Sequence, residues 1–362
     1  MRHLLSTAAV LVTGALVMTM SAPAQAAQED QSARWLTHEL TNGLIHNDQY
    51  AFDDYGLTAD TAFALAAIGG EGDTVRTIRR ALAQHVDSWT TGVDFSSPDV
   101  YAGSTAKAVV LAETTGADPR SFGGVDVVRR LNNLVSDSAP TVGRIEDSAE
   151  ADYANVIGQT FAAQGLSVAG SGKADETLRF LLKQQCSTGY FRLNFAAKDA
   201  TDQTCDGGAR ATTSAPDTDV TALAVLGLTA LPHKSAAVRS AISDAAGWLK
   251  RHQKDNGSFG GGPATEASNS NSTGLAGWAL GETGSCNAAA RAARWVGRLQ
   301  VTGDVSGTPL AGDKGAIAYD RTRLAAGETN GIGTEDRDQW RRATAQAAPS
   351  LANLNASVCR AS

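Results

Sequence analysis

The chain has 362 residues, of which 42% are hydrophobic and 19% charged, and its formal net charge is -7 at pH 7. The 38 acidic residues outnumber the 31 basic ones, and the sequence contains no basic patch. This balance argues against nucleic acid and against anionic membrane surfaces as partners. The length suits one large domain or two small ones.

The first 26 residues are typical of a secretory signal peptide. A basic start at Arg2 and His3 precedes an apolar run over residues 4–18, and residues 22–26 have the small-x-small pattern that signal peptidase needs. We therefore expect cleavage after about Ala26, an extracellular location, and one mature domain over residues 27–362. A membrane anchor is the alternative, although the run is short for a span. No later segment of the sequence is long and apolar enough to cross a bilayer.

The sequence contains four cysteines, an even number that predicts two disulfides in an oxidising compartment. We favour the pairs Cys186–Cys205 and Cys286–Cys359, because the first ties down a local loop and the second fastens the C-terminal tail. Three pairings are open from the sequence alone. The cysteines and histidines lack the spacings of a zinc site, so we expect no metal.

An internal repeat runs through the mature chain. Six stretches each carry a threonine followed by a run of small apolar helix-forming residues, and most of them end near glycine. Spacings of 44 to 61 residues between copies indicate a repeat architecture. The threonines are Thr61, Thr105, Thr160, Thr221, Thr273 and Thr322.

Helices of two kinds alternate along this repeat. The threonine-led runs are apolar nearly all round and are predicted to be buried on every side. Amphipathic helices lie between them, for example at residues 74–89 and 238–252, and another follows the sixth copy at residues 336–354. We expect an all-α fold, an α6/α6 toroid of six helical hairpins with the buried helices inside. An open solenoid is the alternative.

Two stretches carry a more specific signature. Gln185 is followed by Gly189 and Phe191, and Gln253 is followed by Gly257 and Phe259; a third site keeps only Gln300. The pattern resembles the Gln-Trp motif of the terpene cyclase and prenyltransferase repeat, with Phe in place of Trp. The resemblance implies the α/α toroid, with each Gln bonding across to the next repeat. This fold hosts unrelated activities, so the resemblance leaves the function open.

The resemblance suggests one candidate acid. In the cyclases an Asp-x-Asp-Asp-Thr-Ala segment opens an inner helix, and its middle Asp donates a proton. The matching segment here runs from Asp217 to Ala222 and keeps the middle acid as Asp219, whereas Val220 replaces the third acid. Helix capping is the alternative role for both acids. The zinc and diphosphate sites of a prenyltransferase are not visible.

Other polar and aromatic residues precede or begin the predicted inner helices. Because those helices start at one end of the ring, which we call the mouth, we expect a ligand site there or, alternatively, tyrosines that pack the loops. The candidate ligand-binding residues are Tyr55, Asp60, Tyr101, Tyr153, Gln159, Asp217, Asp219, Asn271, Trp278 and Tyr319.

Three functional hypotheses follow from the sequence. The first is an exported protein that binds a bulky amphipathic small molecule, such as a corrinoid, as the cobalamin carriers do; a membrane transporter or a lid protein would then be its partner. The second is a secreted enzyme of class II terpene cyclase type, an isomerase or lyase with Asp219 as general acid. The third is a non-catalytic scaffold for protein interactions. Cobalamin is the one candidate ligand, and no cofactor is certain.

Overall fold

The structure, a computed structural model, describes residues 22–207 and 214–354. Most of the predicted signal peptide therefore lies outside the described residues, as does Cys359. The helices are α1 (Ala22–His38), α2 (Tyr55–Ile68), α3 (Gly72–Gln84), α4 (Val86–Thr90), α5 (Ala102–Thr114), α6 (Val127–Asn132), α7 (Val156–Val168), α8 (Ala174–Lys183), α9 (Thr218–Thr229), α10 (Ala236–His252), α11 (Ser270–Glu282), α12 (Cys286–Gly297), α13 (Arg321–Asn330) and α14 (Thr334–Ala347).

Short extended segments complete the architecture. Strands β1 (Leu40–Thr41), β2 (Leu44–Asn47) and β3 (Phe52–Asp53) form an antiparallel meander between α1 and α2. Two 3₁₀ turns follow, at Val93–Phe95 and at Ala348–Asn353, and the second continues directly from α14. The all-α prediction is thus confirmed, with strands limited to this small meander in the described part of the chain.

One set of helices forms a closed ring. Each inner helix contacts the next one in the order α2, α5, α7, α9, α11 and α14. Helix α14 in turn contacts α2, which closes the ring. Helices α3, α6, α8, α10 and α12 pack on the outside, and each contacts an inner helix; α1 packs against α2 and α14. The inner helices are apolar nearly all round because neighbours cover most of their surface, as the composition of the runs predicts.

The inner helices approach one another closely through small residues. A Cβ added to Gly274 of α11 would lie 2.3 Å from Ala347 Cα, and one added to Gly165 of α7 would lie 2.7 Å from a methyl group of Val109. A larger side chain at either position would force the helices apart. Glycine and alanine in these runs are therefore packing requirements, in addition to helix formers.

Three glutamines join successive outer helices. Gln185 Nε2 donates to Ala241 O at 2.9 Å, and Gln253 Nε2 donates to Ala288 O at 2.9 Å, so each links the end of one outer helix to the next. Gln300 Nε2 donates to Gln28 O of α1 at 2.7 Å. Because α1 begins the described chain and Gln300 follows α12, this last bond helps to close the ring.

An ion-pair network also joins the two ends of the chain. The buried carboxylate of Glu39 accepts hydrogen bonds from Arg337 at 2.6 and 2.8 Å and from Arg341 at 2.7 Å. Arg337 and Trp35 both donate to Asp313 Oδ1. The seam between the first and last inner helices is therefore held by charged groups as well as by packing.

The structure corrects the sixth copy of the repeat. Thr322 lies exposed on α13, outside the inner ring. The sixth inner helix is α14 with its 3₁₀ continuation, a segment that we expected to be an outer helix. Thr344 there accepts a hydrogen bond from Ile317 N at 2.9 Å, just as Thr273 accepts one from Phe259 N. The run carries three arginines and a proline, which hid its inner position.

In two other copies, too, the residue that accepts this hydrogen bond is not the threonine of the repeat. In the first copy Thr58, rather than Thr61, accepts the bond, and the donor is Ile45 N of β2 at 2.9 Å. In the third copy Gln159 Oε1 takes the place of the threonine and accepts from Ile145 N at 2.9 Å. The feature shared by five copies is thus a polar side chain on an inner helix that accepts a hydrogen bond from a backbone N–H of an earlier segment.

One disulfide is present as predicted. Cys186 and Cys205 are bonded across a separation of 19 residues, and Cys205 N also donates to Lys183 O. The bond orders part of the long polar loop before α9. The predicted pair Cys286–Cys359 involves a residue outside the described part and stays a prediction.

Candidate functional site

The inner helices begin at the mouth of the ring, and several of them start at a side-chain cap. Backbone N–H groups in the first turns of α2, α7, α9 and α11 donate hydrogen bonds to the side chains of Asp54, Asn155, Asp217 and Asn269, respectively. For Asp217 these bonds come from Asp219 N at 2.9 Å and Val220 N at 3.1 Å. Asp217 is therefore a helix cap, and burial raises its pKa despite these bonds.

Each inner helix keeps one face partly accessible, and that face is the interior of the ring. On α9 it consists of Asp219, Leu223 and Leu226, whose spacing of four and three residues places them on one side of the helix. Phe63 of α2 stacks on Phe161 of α7 with ring centroids 5.9 Å apart, although α5 lies between these helices in the ring. The two rings therefore meet inside it.

Asp219 is the unusual carboxyl group of this interior. Its side chain is partly accessible, but Oδ1 is buried without a hydrogen-bond partner among the described residues. Burial raises its pKa from the ordinary 3.8 to about 6, the neighbouring Ser272 opposes the rise, and the charge of Asp217 adds to it. Near neutral pH this group exchanges a proton readily.

A glycine-containing loop covers the same carboxyl group. A Cβ added to Gly261 would lie 2.9 Å from Asp219 Oδ2, and one added to Gly262 would lie 2.4 Å from Asp217 Oδ2. The loop can approach both acids because neither position carries a side chain. On another side lies Tyr319, whose pKa is raised by burial and then by the charges of Asp219 and Asp320.

Further unpartnered oxygens lie at the start of α11. Ser270 Oγ, Ser272 Oγ and Asn271 Oδ1 are buried and make no hydrogen bond with any described residue. Asn271 does donate through Nδ2 to Gln346 Oε1 at 2.7 Å. Since buried polar groups ordinarily find partners, this concentration beside Asp219 is the composition expected of a site that binds a polar group or water.

Two ion pairs flank the interior on the opposite side. Lys107 Nζ lies 2.6 Å from Asp60 Oδ1, and Arg342 lies 3.2 Å from Asp54 Oδ2 at the start of α2. Lys107 Nζ also lies 5.8 Å from the centroid of the Phe161 ring. The interior thus combines charged groups near the mouth with aromatic and aliphatic side chains.

The structure brings some of the predicted residues together and separates others. Asp60, Asp219, Asn271 and Trp278 lie on the accessible faces of inner helices, and Tyr319 lies close to Asp219. Gln159 is fully buried, and its amide bonds the backbone at Ile145, Gly143 and Thr177. It therefore has a structural role rather than the ligand contact that we expected.

Three of the predicted tyrosines lie away from the interior. Tyr55 stacks on His85 of the outer layer with centroids 5.5 Å apart. Tyr101 packs its hydroxyl against Gly92, and Tyr153 is 79% exposed. A residue just before a helix can turn to either side of it, so position in the sequence did not fix the direction of these rings.

Sequence reasoning missed several residues of the interior. The interior also contains Lys107, Phe63, Phe161 and Gln346. These residues belong to runs in which the hydrophobic pattern has no clear period. A charged residue in an otherwise apolar run, as Lys107 is in α5, was the one available indication. Three open surface depressions are present elsewhere, and none of them is lined by these interior residues.

Two other functional features are absent from the described residues. No group of three or more His, Cys, Asp or Glu side chains there is arranged to hold a metal ion. No helix in residues 22–207 and 214–354 has the length and hydrophobicity needed to cross a membrane.

Comparisons with known proteins support the architecture. No family model matches the chain, and no curated protein matches it. A protein of known structure from Actinoplanes is 18% identical with a TM-score of 0.61, over 91% of this chain and 99% of the other. The type II terpene cyclase MstE from Scytonema, in complex with geranylgeranyl dihydroxybenzoate, is 16% identical with a TM-score of 0.61. This match covers 93% of this chain and 100% of the cyclase chain.

A third similar structure has a different activity. An unsaturated glucuronyl hydrolase specific for heparin is 9% identical with a TM-score of 0.61, over 91% of this chain and 96% of the other. The fold is an α/α toroid. Identities this low show the fold alone, and they are shared with enzymes of unrelated chemistry. None of these similarities supports the corrinoid binding that the sequence suggested.

Proposed function

We propose that the protein is an enzyme of class II terpene cyclase type, in which Asp219 protonates a carbon–carbon double bond of a bulky, mostly apolar substrate held inside the ring. The observation that carries this proposal is the buried, unpartnered Oδ1 of Asp219 at the mouth. A carboxyl group in this setting is held in its protonated form to higher pH than an ordinary one. It is therefore a proton donor under mildly acidic to neutral conditions.

The surroundings of Asp219 suit the reaction that we propose. Protonation of a double bond leaves a positive charge on carbon, and the faces of aromatic rings stabilise such a charge. Phe63, Phe161 and Trp278 supply aromatic surface on the interior faces of α2, α7 and α11. Leu223 and Leu226 continue the apolar surface below Asp219.

The cyclised cation loses a proton from carbon to water and so forms a new double bond, and Asp219 must regain its proton after each cycle. Tyr319 lies close to Asp219, and the unpartnered hydroxyls of Ser270 and Ser272 lie at the start of the next inner helix. Water bound by these groups would return a proton to Asp219 from the mouth. The similarity of the fold to that of the type II terpene cyclase MstE supports the choice of this enzyme class.

The test is product formation from polyprenoid substrates. Purified protein incubated with squalene, geranylgeraniol and geranylgeranyl dihydroxybenzoate should convert at least one of them to a cyclic product detected by gas or liquid chromatography with mass spectrometry. Asp219→Asn should abolish that product. Asp126→Asn is the matched control, because Asp126 caps the outer helix α6 and Asn caps equally well.

Two results would reject the proposal. One is absence of product from all three substrates with folded protein. The other is an Asp219→Asn variant that retains the activity of the wild-type protein, since the proton would then come from another group.

We also infer that the protein is exported. The disulfide Cys186–Cys205 is the supporting observation, because such bonds persist in oxidising compartments. Intact mass spectrometry of protein from the culture medium should give a chain that begins near residue 27. A cytoplasmic protein that retains its first 26 residues would contradict this inference.

A further inference from the structure

An ion pair lies in the interior wall of the ring, where the remaining side chains are mostly apolar. Lys107 Nζ of α5 lies 2.6 Å from Asp60 Oδ1 of α2 and donates to Gly56 O at 3.0 Å. The two side chains are 17% and 22% exposed, so they are largely shielded but still accessible. Phe161 lies against Lys107 and stacks on Phe63, which places the pair beside the aromatic part of the interior.

The pair faces Asp219 across the ring. Three steps around the closed ring of inner helices separate α2 from α9, so these two helices lie on opposite sides. Asp60 is the sixth residue of α2, whereas Asp219 is the second of α9. The pair is therefore about one helical turn deeper than the carboxyl group that faces it.

The net stability that the pair contributes is expected to be small. Removing a lysine and a carboxylate from water is costly, and well-packed apolar residues of similar size often replace a shielded ion pair without loss of stability. Lys107 has three N–H donors, and Asp60 and Gly56 O occupy two of them, so one is left for a ligand.

The charges of the pair indicate which chemical group it recognises. Lys107 offers N–H donors and Asp60 offers acceptor oxygens, so one hydroxyl group can accept from the first and donate to the second. An ionised carboxylate or phosphate would be attracted to Lys107 but repelled by Asp60, and Asp217 and Asp219 add negative charge at the mouth when ionised. A neutral hydroxyl is the group that fits both partners.

We propose that Asp60 and Lys107 form a subsite for a hydroxyl group of the substrate, and that the substrate is a neutral isoprenoid alcohol or phenol. This inference rests on the proposed function, because it takes the interior of the ring as the substrate site. The substrate then spans the ring, with its hydroxyl at α2 and α5 and its reacting double bond at α9.

Binding measurements in the Asp219→Asn background test the subsite, because turnover then cannot consume the ligand. Isothermal titration calorimetry with farnesol and with farnesyl methyl ether compares ligands that differ in the hydroxyl proton and one methyl group. We expect farnesol to bind about tenfold or more tightly than the ether. The additional double change Asp60→Leu and Lys107→Met should remove this preference and leave the melting temperature unchanged or higher.

A matched control uses a second ion pair, which lies outside the interior. Arg323 and Asp336 are 2.9 Å apart on the exposed surface of α13 and α14. Changing them to Met and Leu in the same background should leave the preference for farnesol intact. This control separates loss of the subsite from a general effect of replacing an ion pair by apolar residues.

Three outcomes would overturn the subsite: equal binding of alcohol and ether, a preference that survives the double change at Asp60 and Lys107, or binding of neither ligand. Failure of the proposed function has a different signature. If the preference is present and depends on the pair, but wild-type protein forms no product from any polyprenoid, then the subsite stands and the catalytic role of Asp219 is rejected.

Discussion

The change Asp219→Asn should stabilise the protein at neutral pH, even as it removes activity. In the folded chain the pKa of Asp219 is raised from the ordinary 3.8 to about 6. A carboxyl group with a raised pKa binds its proton more tightly in the folded state, so stability is full below pH 3.8 and falls as pH rises through 6. The difference of about two pH units corresponds to about 2 to 3 kcal/mol.

Urea denaturation of both proteins between pH 4 and pH 8 measures this effect. The free energy of unfolding of the variant minus that of the wild-type protein should rise with pH by about 2 to 3 kcal/mol and level off above about pH 7. Any constant offset between Asn and the protonated acid does not matter, because only the pH dependence is used. A flat difference for Asp219→Asn would refute the argument that burial controls this carboxyl group.

Three further predictions follow from the structure. The rate of the proposed reaction should fall as pH rises through about 6, because the protonated form of Asp219 is the donor, and a pH–rate profile that rises there would contradict the assignment. Glu39→Ala should destabilise the ring by about 3 kcal/mol in urea, since it removes a carboxylate partner of the buried Arg341, whereas Glu39→Gln should have a smaller effect. Replacing Cys186 and Cys205 by Ala should lower the free energy of unfolding by about 3 kcal/mol, and no change on reduction would contradict that.

Much of the fold could be predicted from the sequence because the toroid has a strong pattern. Buried runs alternate with amphipathic ones, and the Gln185 and Gln253 motifs mark the links between successive outer helices. The sixth inner helix was the exception. It packs against Gly274, Gly277 and Gly281 through alanine, serine and asparagine, respectively, and its arginines pair with acids at the seam. Local composition therefore indicated an outer helix, whereas tertiary contacts place it inside.

The candidate site was predictable only in part. Asp219 was found because a short motif at the start of a helix preserves its spacing, and the structure supplied the burial that makes the acid unusual. Lys107 and Phe161 were missed because a helix covered by neighbours on most sides has no periodicity that marks its interior face. The rings of Tyr55 and Tyr101 were misplaced because their direction depends on the outer layer.

Reaction in deuterium oxide tests the central claim most directly. If Asp219 protonates a double bond, each molecule of product formed from geranylgeraniol or another accepted polyprenoid must carry one deuterium from the solvent on carbon, located by NMR at the protonated end of the chain. Asp219→Asn should form no labelled product. Product without carbon-bound deuterium, or labelled product from the variant, would contradict the account.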